Sequence, residues 1–409
     1  MPREVAPSLV SGDVRRHNLS LVMNVLAQGS VARSEISTAT GLSRGAVTAL
    51  VSQLLDAGLI RETGQAVASK GRPLTKLELA ADGVALLAVQ IAADEATVVV
   101  TDLAGAELHR GSAPHHRPMG DPDAVLDVVA RVVRNAFAAT ASLHREVIDT
   151  TVVVLAPVAG DPPKVVGDLW LGWDEVDVLA GLRARLPELN DRELRLVTDM
   201  PLAALAEMRH LGVLDDALYL KADSSIAGAL VVGGRVIEGA HGLAGALSHV
   251  PVVLDGALCE CGQHGCLVTV AGIEALTAAE GGDPGLARES PSAALAAFVD
   301  RVAAGDPRAV AAWGEALPYI AAALQILATA IDPRVVIIGG HWARLVDSIA
   351  TAFAANRAAI VAVGSPLGTT VVAGPLGADA GLRGAIEAAR ARGLADPLGI
   401  KPLVIKFNA

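Results

Sequence analysis

The chain has 409 residues, 52% of them hydrophobic and 19% charged, which excludes a disordered protein and predicts two or three globular domains. The net charge of −11 argues against a protein that binds nucleic acid over its whole surface. Residues 1–80 nevertheless hold nine basic and six acidic side chains, a net charge of +3, which leaves −14 on the remainder. This asymmetry is compatible with a small basic head that contacts phosphates and an acidic body that does not.

Three short helices are predicted in the first sixty residues. Apolar residues recur at helical spacing over 18–27, a second helix follows over 33–40, and a third covers 44–57. Gly41 permits a tight turn between the second and third helices, and Ser43 is a favourable N-cap. Two helices joined in this way, the second opening with polar residues, are typical of a helix-turn-helix, in which the second helix enters the DNA major groove.

A hairpin with a basic tip is predicted after these helices. Residues 58–62 and 74–79 alternate like two strands, and Lys70 and Arg72 lie between them. Such a hairpin is the wing of a winged helix-turn-helix, whose cations reach the sugar-phosphate backbone or the minor groove. A three-helix protein-interaction module is the alternative, and the basic wing argues against it.

DNA contacts are assigned by position within this head. Arg44 and Thr48 open the third helix and are the candidates for direct base readout, with Gln53 a weaker one two turns further on. Arg61 joins the two wing cations as a backbone contact. The full set of predicted DNA-binding residues is Ser43, Arg44, Thr48, Gln53, Arg61, Lys70 and Arg72.

Strand-like and helical segments alternate from residue 81 onwards, which predicts an α/β body. The predicted strands are 85–90, 97–101, 149–155, 194–197, 217–220, 226–232, 335–338 and 369–372, and the predicted helices are 123–140, 201–210, 309–330 and 380–392. The order, a βββαβα-like unit followed by its repeat, fits two lobes with a cleft between them. Near-continuous apolar strands such as 335–338 indicate a sheet covered on both sides.

All three cysteines lie within eight positions, and a histidine precedes them by ten residues. Cys259, Cys261 and Cys266 with His249 make the Cys₃His set that closes a tetrahedral zinc shell. A shell filled by protein has no open position for an activated water, so we predict a structural Zn²⁺ that stabilises the loop. The alternative is three buried apolar cysteines and an unrelated histidine.

The cysteines and the apolar pattern also bear on the cellular compartment. Thiolate metal ligands suit a reducing environment. No unbroken apolar run reaches the roughly 18 residues that span a bilayer, and residues 1–5 begin no signal peptide. We therefore expect a cytoplasmic protein without a membrane partner.

Several motifs make the chain similar to the ROK family (repressors, open reading frames, kinases), in its transcriptional-regulator branch. They are Leu169-x-x-Gly172-Trp173, Thr198-Asp199, Gly239-x-x-Gly242-x-x-Gly245-x-x-x-His249, Cys259-x-Cys261-Gly262-x-x-Gly265-Cys266, Val336–Gly340 and Gly381–Ala385. The resemblance runs nearly end to end and implies an actin-like, two-lobed sugar-kinase fold behind a DNA-binding winged helix-turn-helix, assembled as a homodimer or homotetramer. The implied domains are the head (1–80), a small lobe (81–200, completed by a helix over 380–395) and a large lobe with the zinc loop and the oligomerisation surface (201–379).

The two phosphate-binding loops of the family's kinases are altered in this chain. The first, an Asp-x-Gly-Gly-Thr type sequence, falls on 90–94, where the metal-supporting acid and both glycines are absent. The second, a Gly-Thr-Gly-x-Gly type sequence, falls on 223–227, where the glycines are absent and Asp223 directs a negative charge toward the phosphates. Phosphoryl transfer depends on positioning and charge neutralisation, so we expect no kinase activity and no catalytic residue.

The sugar pocket implied by the resemblance is altered more selectively. Asp199 matches the family's catalytic base, and Thr198 replaces the Asn before it. Ala246 replaces the Glu of the Glu-x-x-His pattern, and Val268 replaces the Glu after the last cysteine. The predicted ligand contacts are Thr198, Asp199 and His249. Because each buried sugar hydroxyl needs a hydrogen-bond partner, the effector is less polar than a hexose, modified or differently posed, or there is none.

The leading hypothesis is a repressor that binds a palindromic or inverted-repeat DNA operator and responds to a sugar or sugar-derived effector of carbohydrate metabolism. One alternative is a sugar kinase with an appended DNA-binding domain, which ADP release over a panel of hexoses and N-acetylhexosamines would reveal. The other is an effector-independent DNA-binding regulator, which silence in a broad thermal-shift screen would favour.

Overall fold

The computed structural model describes residues 11–67, 74–80, 82–240, 243–355 and 368–399. Lys70 and Arg72 of the predicted wing tip lie outside the described residues, as does Gly242 of the glycine motif.

Three helices and a three-stranded antiparallel sheet form the head. In chain order they are α1 (Ser11–Leu26), β1 (Val31–Ala32), α2 (Arg33–Thr40), α3 (Arg44–Asp56), β2 (Ile60–Val67) and β3 (Leu74–Leu79). Strand β3 lies between β1 and β2. The helix α2 coincides with the prediction over 33–40, whereas α1 begins seven residues before the predicted start.

Local chemistry explains the turn between α2 and α3. Gly41 ends α2 in the left-handed conformation at φ 71°, which costs glycine no steric strain. The Ser43 hydroxyl accepts a hydrogen bond from the Ala46 amide at 3.3 Å and so caps α3. The apolar face of α3 is buried against α1 and the sheet, and its Val47 and Val51 have no exposed surface.

The body contains two five-stranded mixed sheets. The strands and helices around the first sheet are β4 (Val84–Ile91), β5 (Glu95–Asp102), β6 (Glu107–Pro114), α4 (Pro122–Ser142), β7 (Glu146–Val154), β8 (Val158–Ala159), β9 (Lys164–Asp168), β10 (Trp173–Val176), α5 (Val178–Arg185), β11 (Leu194–Thr198) and α6 (Asp199–Leu211). The sheet order is β11-β7-β4-β5-β6, with β8, β9 and β10 in a small separate sheet. The edge strand β6 was not predicted, because its polar residues obscure the alternation.

The second sheet repeats the topology of the first. Its elements are β12 (Ala217–Ala222), β13 (Ile226–Val232), β14 (Arg235–Val236), α7 (Val268–Ala271), α8 (Ile273–Ala279), α9 (Pro284–Glu289), α10 (Pro291–Ala303), α11 (Pro307–Ile331), β15 (Val335–Gly340), α12 (Val346–Ala355), β16 (Thr370–Ala373) and α13 (Ala380–Ala395). The order β14-β13-β12-β15-β16 has two antiparallel pairs followed by two parallel pairs, the same arrangement as β6-β5-β4-β7-β11 in the first sheet. This agrees with the predicted repeat of a βββαβα-like unit.

The helices α6 and α13 lie between the two sheets and pack closely on each other. The α6 side chains Ala203, Ala204 and Met208 are buried against the second sheet. The α13 side chains Leu382, Ala385 and others are buried against the first. On the outer faces, α4 and α5 cover the first sheet, and α10, α11 and α12 cover the second.

The head shares its core with the first sheet through α13. One cluster of buried side chains contains Leu19, Val22 and Met23 of α1 together with Leu86 of β4 and Leu394 of α13. The Arg390 guanidinium adds hydrogen bonds to the carbonyl oxygens of Leu103 in the body and Ala27 in the head, at 2.8 and 3.2 Å. The head is therefore packed on the body rather than attached only through the chain.

Among the described residues, one helix has the length and apolar composition of a membrane span, namely α11. Its Trp313 and Ile320 side chains are buried with Phe298 and Trp342 in the core under the second sheet. About a third (33%) of the apolar window of α11 is buried, and Glu315 and Pro318 interrupt its apolar sequence.

Replacing Gly384 by alanine should separate α6 from α13, because a Cβ there would overlap the Leu202 carbonyl oxygen. We expect a loss of about 1–3 kcal/mol in the free energy of unfolding, the usual cost of overpacking a core. The matched control is Gly314→Ala on the exposed side of α11, where a Cβ meets nothing within 4 Å. That variant should be neutral or more stable by up to about 1 kcal/mol. Urea denaturation compares the two, and equal stabilities would contradict close packing.

Candidate ligand cleft and metal cluster

A cavity of about 970 Å³ lies between the two sheets. Its walls come from the segments that follow β7 and β11 in the first lobe and β12 in the second, which is where ligands bind in open α/β sheets. Further residues come from 236–238, 243–251 and the cysteine loop. Its size suits a small organic ligand.

A buried carboxylate forms part of the floor. Asp199 is the first residue of α6, Thr198 is its N-cap, and both line the cavity. Only 1% of Asp199 is exposed, and its Oδ2 lies 3.5 Å from the Lys221 ammonium. Burial raises the pKa of Asp199 to about 6, although the positive charge of Lys221 opposes that rise.

Lys221 connects Asp199 to a second carboxylate, Asp223. The Lys221 ammonium is 3.0 Å from Asp223 Oδ2. Burial alone would lower the pKa of Lys221, but the charges of Asp223 and Asp199 raise it above its ordinary value. Asp223 Oδ1 also accepts from the Ser292 hydroxyl at 3.0 Å and contacts His341 Nε2 at 3.1 Å. Burial alone would raise the pKa of Asp223, but Lys221 and His341 hold it below its ordinary value.

The sequence reasoning missed Lys221, although a signal for it was available. It is the one charged residue in the strand Ala217–Ala222, which is otherwise apolar and aromatic. A charged side chain in a buried strand requires a partner of opposite charge. That requirement could have joined Lys221 to Asp199 and Asp223 before the fold was known.

Arg117 ties the two lobes together beside the cavity. Its guanidinium donates to the carbonyl oxygens of Trp170 in the first lobe and Arg288 in the second, both at 2.7 Å. It also lies over the Trp170 ring, 4.9 Å from the ring centre. Arg288 in turn pairs with Glu260 in the cysteine loop. The Trp170 wall of the cavity is thereby held in place.

The four residues of the predicted metal set converge. Their ligand atoms, one ring nitrogen of His249 and the sulfur atoms of Cys259, Cys261 and Cys266, all lie within 4.8 Å of one another. Cys259 Sγ is 3.6 Å from His249 Nδ1, and Cys261 Sγ is 3.6 Å from Cys266 Sγ. In a tetrahedral shell with metal–sulfur bonds of about 2.3 Å, two sulfur atoms lie about 3.8 Å apart. The cluster therefore fits a tetrahedral metal ion.

The metal cluster and the cavity share residues. His249, Cys261 and Gln263 line the cavity, so the cysteine loop forms part of its wall. Ala246 also lines the cavity, whereas Val268 begins α7 and does not. Of the two positions where the family's pattern has Glu, only Ala246 thus removes a polar group from the cavity.

The predicted DNA-binding residues differ in their surroundings. Ser43, Arg44 and Thr48 are exposed at the N-terminal end of α3. The Gln53 side-chain oxygen accepts two hydrogen bonds from Arg15, at 2.8 and 3.1 Å, a pairing that the sequence did not indicate. Arg61 pairs with Glu78 at 2.7 Å and with Asp82.

Comparison with known proteins places the body in a family. The model of the ROK family matches residues 86–392, so the chain belongs to the ROK family. The DNA-binding transcriptional dual regulator NagC of Escherichia coli (strain K12) is 25% identical over 266 residues, which cover 63% of this chain. The chain spans about 63% of the length of that relative.

Two solved structures show the same fold. A crystal structure of a ROK family transcriptional regulator, a homologue of the E. coli MLC protein, matches with a TM-score of 0.72 at 23% identity and covers 94% of this chain and 98% of its own. A ROK family glucokinase from Streptomyces griseus, in complex with glucose and AMPPNP, matches with a TM-score of 0.59 at 23% identity, covering 75% and 99%. The body therefore has the sugar-kinase-like fold of ROK proteins.

Proposed function

We propose that this chain is a DNA-binding transcriptional repressor of the ROK family whose interlobe cleft binds a sugar-derived effector, and that it is not a kinase. The proposal rests on the combination of a helical head that exposes Arg44 with a kinase-like body on which that head is packed. In the body, the loop that would hold phosphate in a kinase contains Asp223, whose carboxylate is paired with Lys221. The similarity to the regulator NagC supports it. The chain would act as a homodimer or homotetramer on a palindromic or inverted-repeat double-stranded operator, because paired heads read paired half-sites.

The surroundings of Arg44 support a role in DNA binding. Within the described ranges, its guanidinium has no hydrogen-bond or ion-pair partner. Arg44 is the first residue of α3. A cation there is disfavoured by the positive end of the helix dipole. Such a residue contributes little to folding, and phosphates or a guanine edge would satisfy it.

The other predicted contacts divide into two groups. Among the described residues, the Ser43 and Thr48 hydroxyls bond only the backbone of α3, at the Ala46 amide and the Arg44 carbonyl oxygen. Both side chains are exposed beside Arg44 and stay in the proposed readout surface, the recognition end of a winged helix-turn-helix. Gln53 and Arg61 would have to exchange their partners, Arg15 and the acids of β3 and its following turn, for DNA. They are proposed as secondary contacts, together with Lys70 and Arg72.

The environment of Asp223 supports the absence of kinase activity. A nucleotide phosphate needs donors and neutralising cations at the loop after β12. Lys221, Ser292 and His341 are already engaged by the Asp223 carboxylate there. The phosphate would meet a fixed negative charge, and the donors would have to be withdrawn from it.

The helix α13 supports a connection between cleft and head. Near its start, a Cβ at Gly381 would lie 3.1 Å from Asp199 Cβ, and towards its end Arg390 bonds the head. An effector held by Thr198, Asp199 and His249 would act on α6 and hence on α13. Regulation requires that this ligand bind the DNA-competent and DNA-incompetent states with different affinity.

We propose that the metal of the Cys₃His cluster is a structural Zn²⁺. Four protein ligands complete a tetrahedral shell, which leaves no position for substrate or water. The ion would fix the loop that presents His249, Cys261 and Gln263 to the cavity.

Genome-wide footprinting of the bound DNA tests the proposed function as a whole, and binding without sequence preference would contradict it.

Arg44→Ala should weaken binding to the operator found by footprinting by about 1–3 kcal/mol and relax the preference at one base pair. Arg131→Ala, an exposed arginine of α4 on the body, is the matched control and should leave the affinity unchanged. Fluorescence anisotropy with operator and random DNA makes the measurement. An equal loss on both DNAs would assign Arg44 to phosphate and contradict base readout.

Cys261→Ser should lower the zinc content of the purified protein and its Tm together, because metal binding energy contributes to folding. Elemental analysis and thermal unfolding measure the two quantities. Ser292→Ala, outside the cluster, controls for loss of a small polar group and should retain the metal. A Cys261→Ser protein with unchanged zinc stoichiometry would show that this thiolate is not a ligand.

A further inference from the structure

Three large apolar residues that line the interlobe cavity are exposed. Leu169 of the first lobe is 51% exposed, and Ile237 and Leu243 of the second lobe are 40% and 58% exposed. Exposed apolar surface that is gathered in a concave site is typical of a ligand-binding groove, whereas single exposed leucines on a convex surface are ordinary. The cavity thus has apolar surface on both of its sides.

The rest of the wall is also largely apolar. Leu155, Val158, Trp170 and Val250 line the cavity, and Ala246 presents a methyl group. Polar lining residues such as Glu238 and Gln263 are fewer than the apolar ones, so a hexose hydroxyl that faces an apolar stretch would lose water without gaining a partner. The wall therefore disfavours a ligand that is polar on all sides.

The floor has the opposite character. Asp199 accepts one side-chain hydrogen bond in the described part of the chain, the long one from Lys221, so its carboxylate retains capacity for further donors. Thr198 and Ser248 line the cavity as well. Hydroxyl groups of a ligand would bond here, because a carboxylate is the natural acceptor for them.

The cavity is larger than a monosaccharide needs, although a side chain already joins the two lobes beside it. A space of about 970 Å³ lies at the upper end of the range for small-molecule sites. Arg117 already joins the lobes through the carbonyl oxygens of Trp170 and Arg288 while the cavity stays open. An occupant larger than a monosaccharide fits the space that remains.

We propose that the cleft binds a glycoside with an apolar aglycone, whose sugar hydroxyls bond Asp199 at the floor and whose aglycone packs against Leu169, Ile237 and Leu243. The proposal rests on the effector-binding part of the proposed function and names the chemical class of its ligand. Apolar packing of the aglycone would compensate for the polar contact that is absent at Ala246. A free sugar is then the weaker ligand.

Calorimetry with matched pairs of ligands tests this on the full-length protein. The pairs are the phenyl and methyl β-glycosides of glucose, galactose, xylose and N-acetylglucosamine. For at least one sugar, the phenyl glycoside should bind at least tenfold more tightly than the methyl glycoside. Equal affinities within every pair, or no binding of any phenyl glycoside, would overturn the proposal.

Variants assign the preference to the apolar wall. Leu243→Ser should reduce the phenyl-to-methyl ratio to less than threefold, and Asp199→Asn should weaken both members of a pair alike. Leu214→Ser is the matched control, since this leucine is 77% exposed and lies outside the cavity. An unchanged ratio in Leu243→Ser would contradict the assigned aglycone site.

Operator binding, measured separately on the same protein, keeps the two claims distinct. Sequence-specific DNA binding without any preference for phenyl glycosides would overturn the ligand class and leave the regulator standing. A phenyl preference in a protein without sequence-specific DNA binding would contradict the proposed function and leave the ligand class standing.

Discussion

The close contact between α6 and α13 joins the two lobes, the cleft and the head. Gly384 lies against the Leu202 carbonyl, and Gly381 lies against Asp199, so neither position has room for a side chain without a shift of its neighbours. The contact joins the two sheets, because each helix is buried against a different one. It also sets the position of Asp199 in the cleft. The far end of α13 packs against the core of the head. Cleft, lobes and head are thus parts of one packed arrangement.

The charges in the cleft follow from that arrangement. Lys221 is buried between Asp199 and Asp223, and a buried cation requires such partners. The closer acid, Asp223, is also satisfied by Ser292 and His341, and the more distant one, Asp199, keeps acceptor capacity toward the cavity. The donors around Asp223, namely Lys221, Ser292 and His341, are therefore already engaged by its carboxylate. The proposed effector site uses that remaining acceptor capacity of Asp199.

Sequence patterns predicted those features that depend on local spacing. The metal set was found because three cysteines and one histidine lie within eighteen residues, and α2 was found because Gly41 and Ser43 mark its end and the next start. Side-chain pairs between distant segments were not predicted, including Lys221 with Asp199, Arg15 with Gln53 and Arg117 with Trp170 and Arg288. Their separations range from 22 to 171 residues, and no periodicity encodes which surfaces will meet. The strand β6 was missed because an exposed edge strand lacks a clear apolar face.

Head and body share one core through α13. Native-state hydrogen exchange measures this directly, by the free energy of opening at amides of α1, such as Val22 and Met23, and of β4, such as Leu86. A shared core predicts that these amides exchange through the same opening, with the same free energy and the same dependence on denaturant. An opening of α1 at much lower free energy, while β4 stays protected, would contradict a shared core and make the head an independent unit.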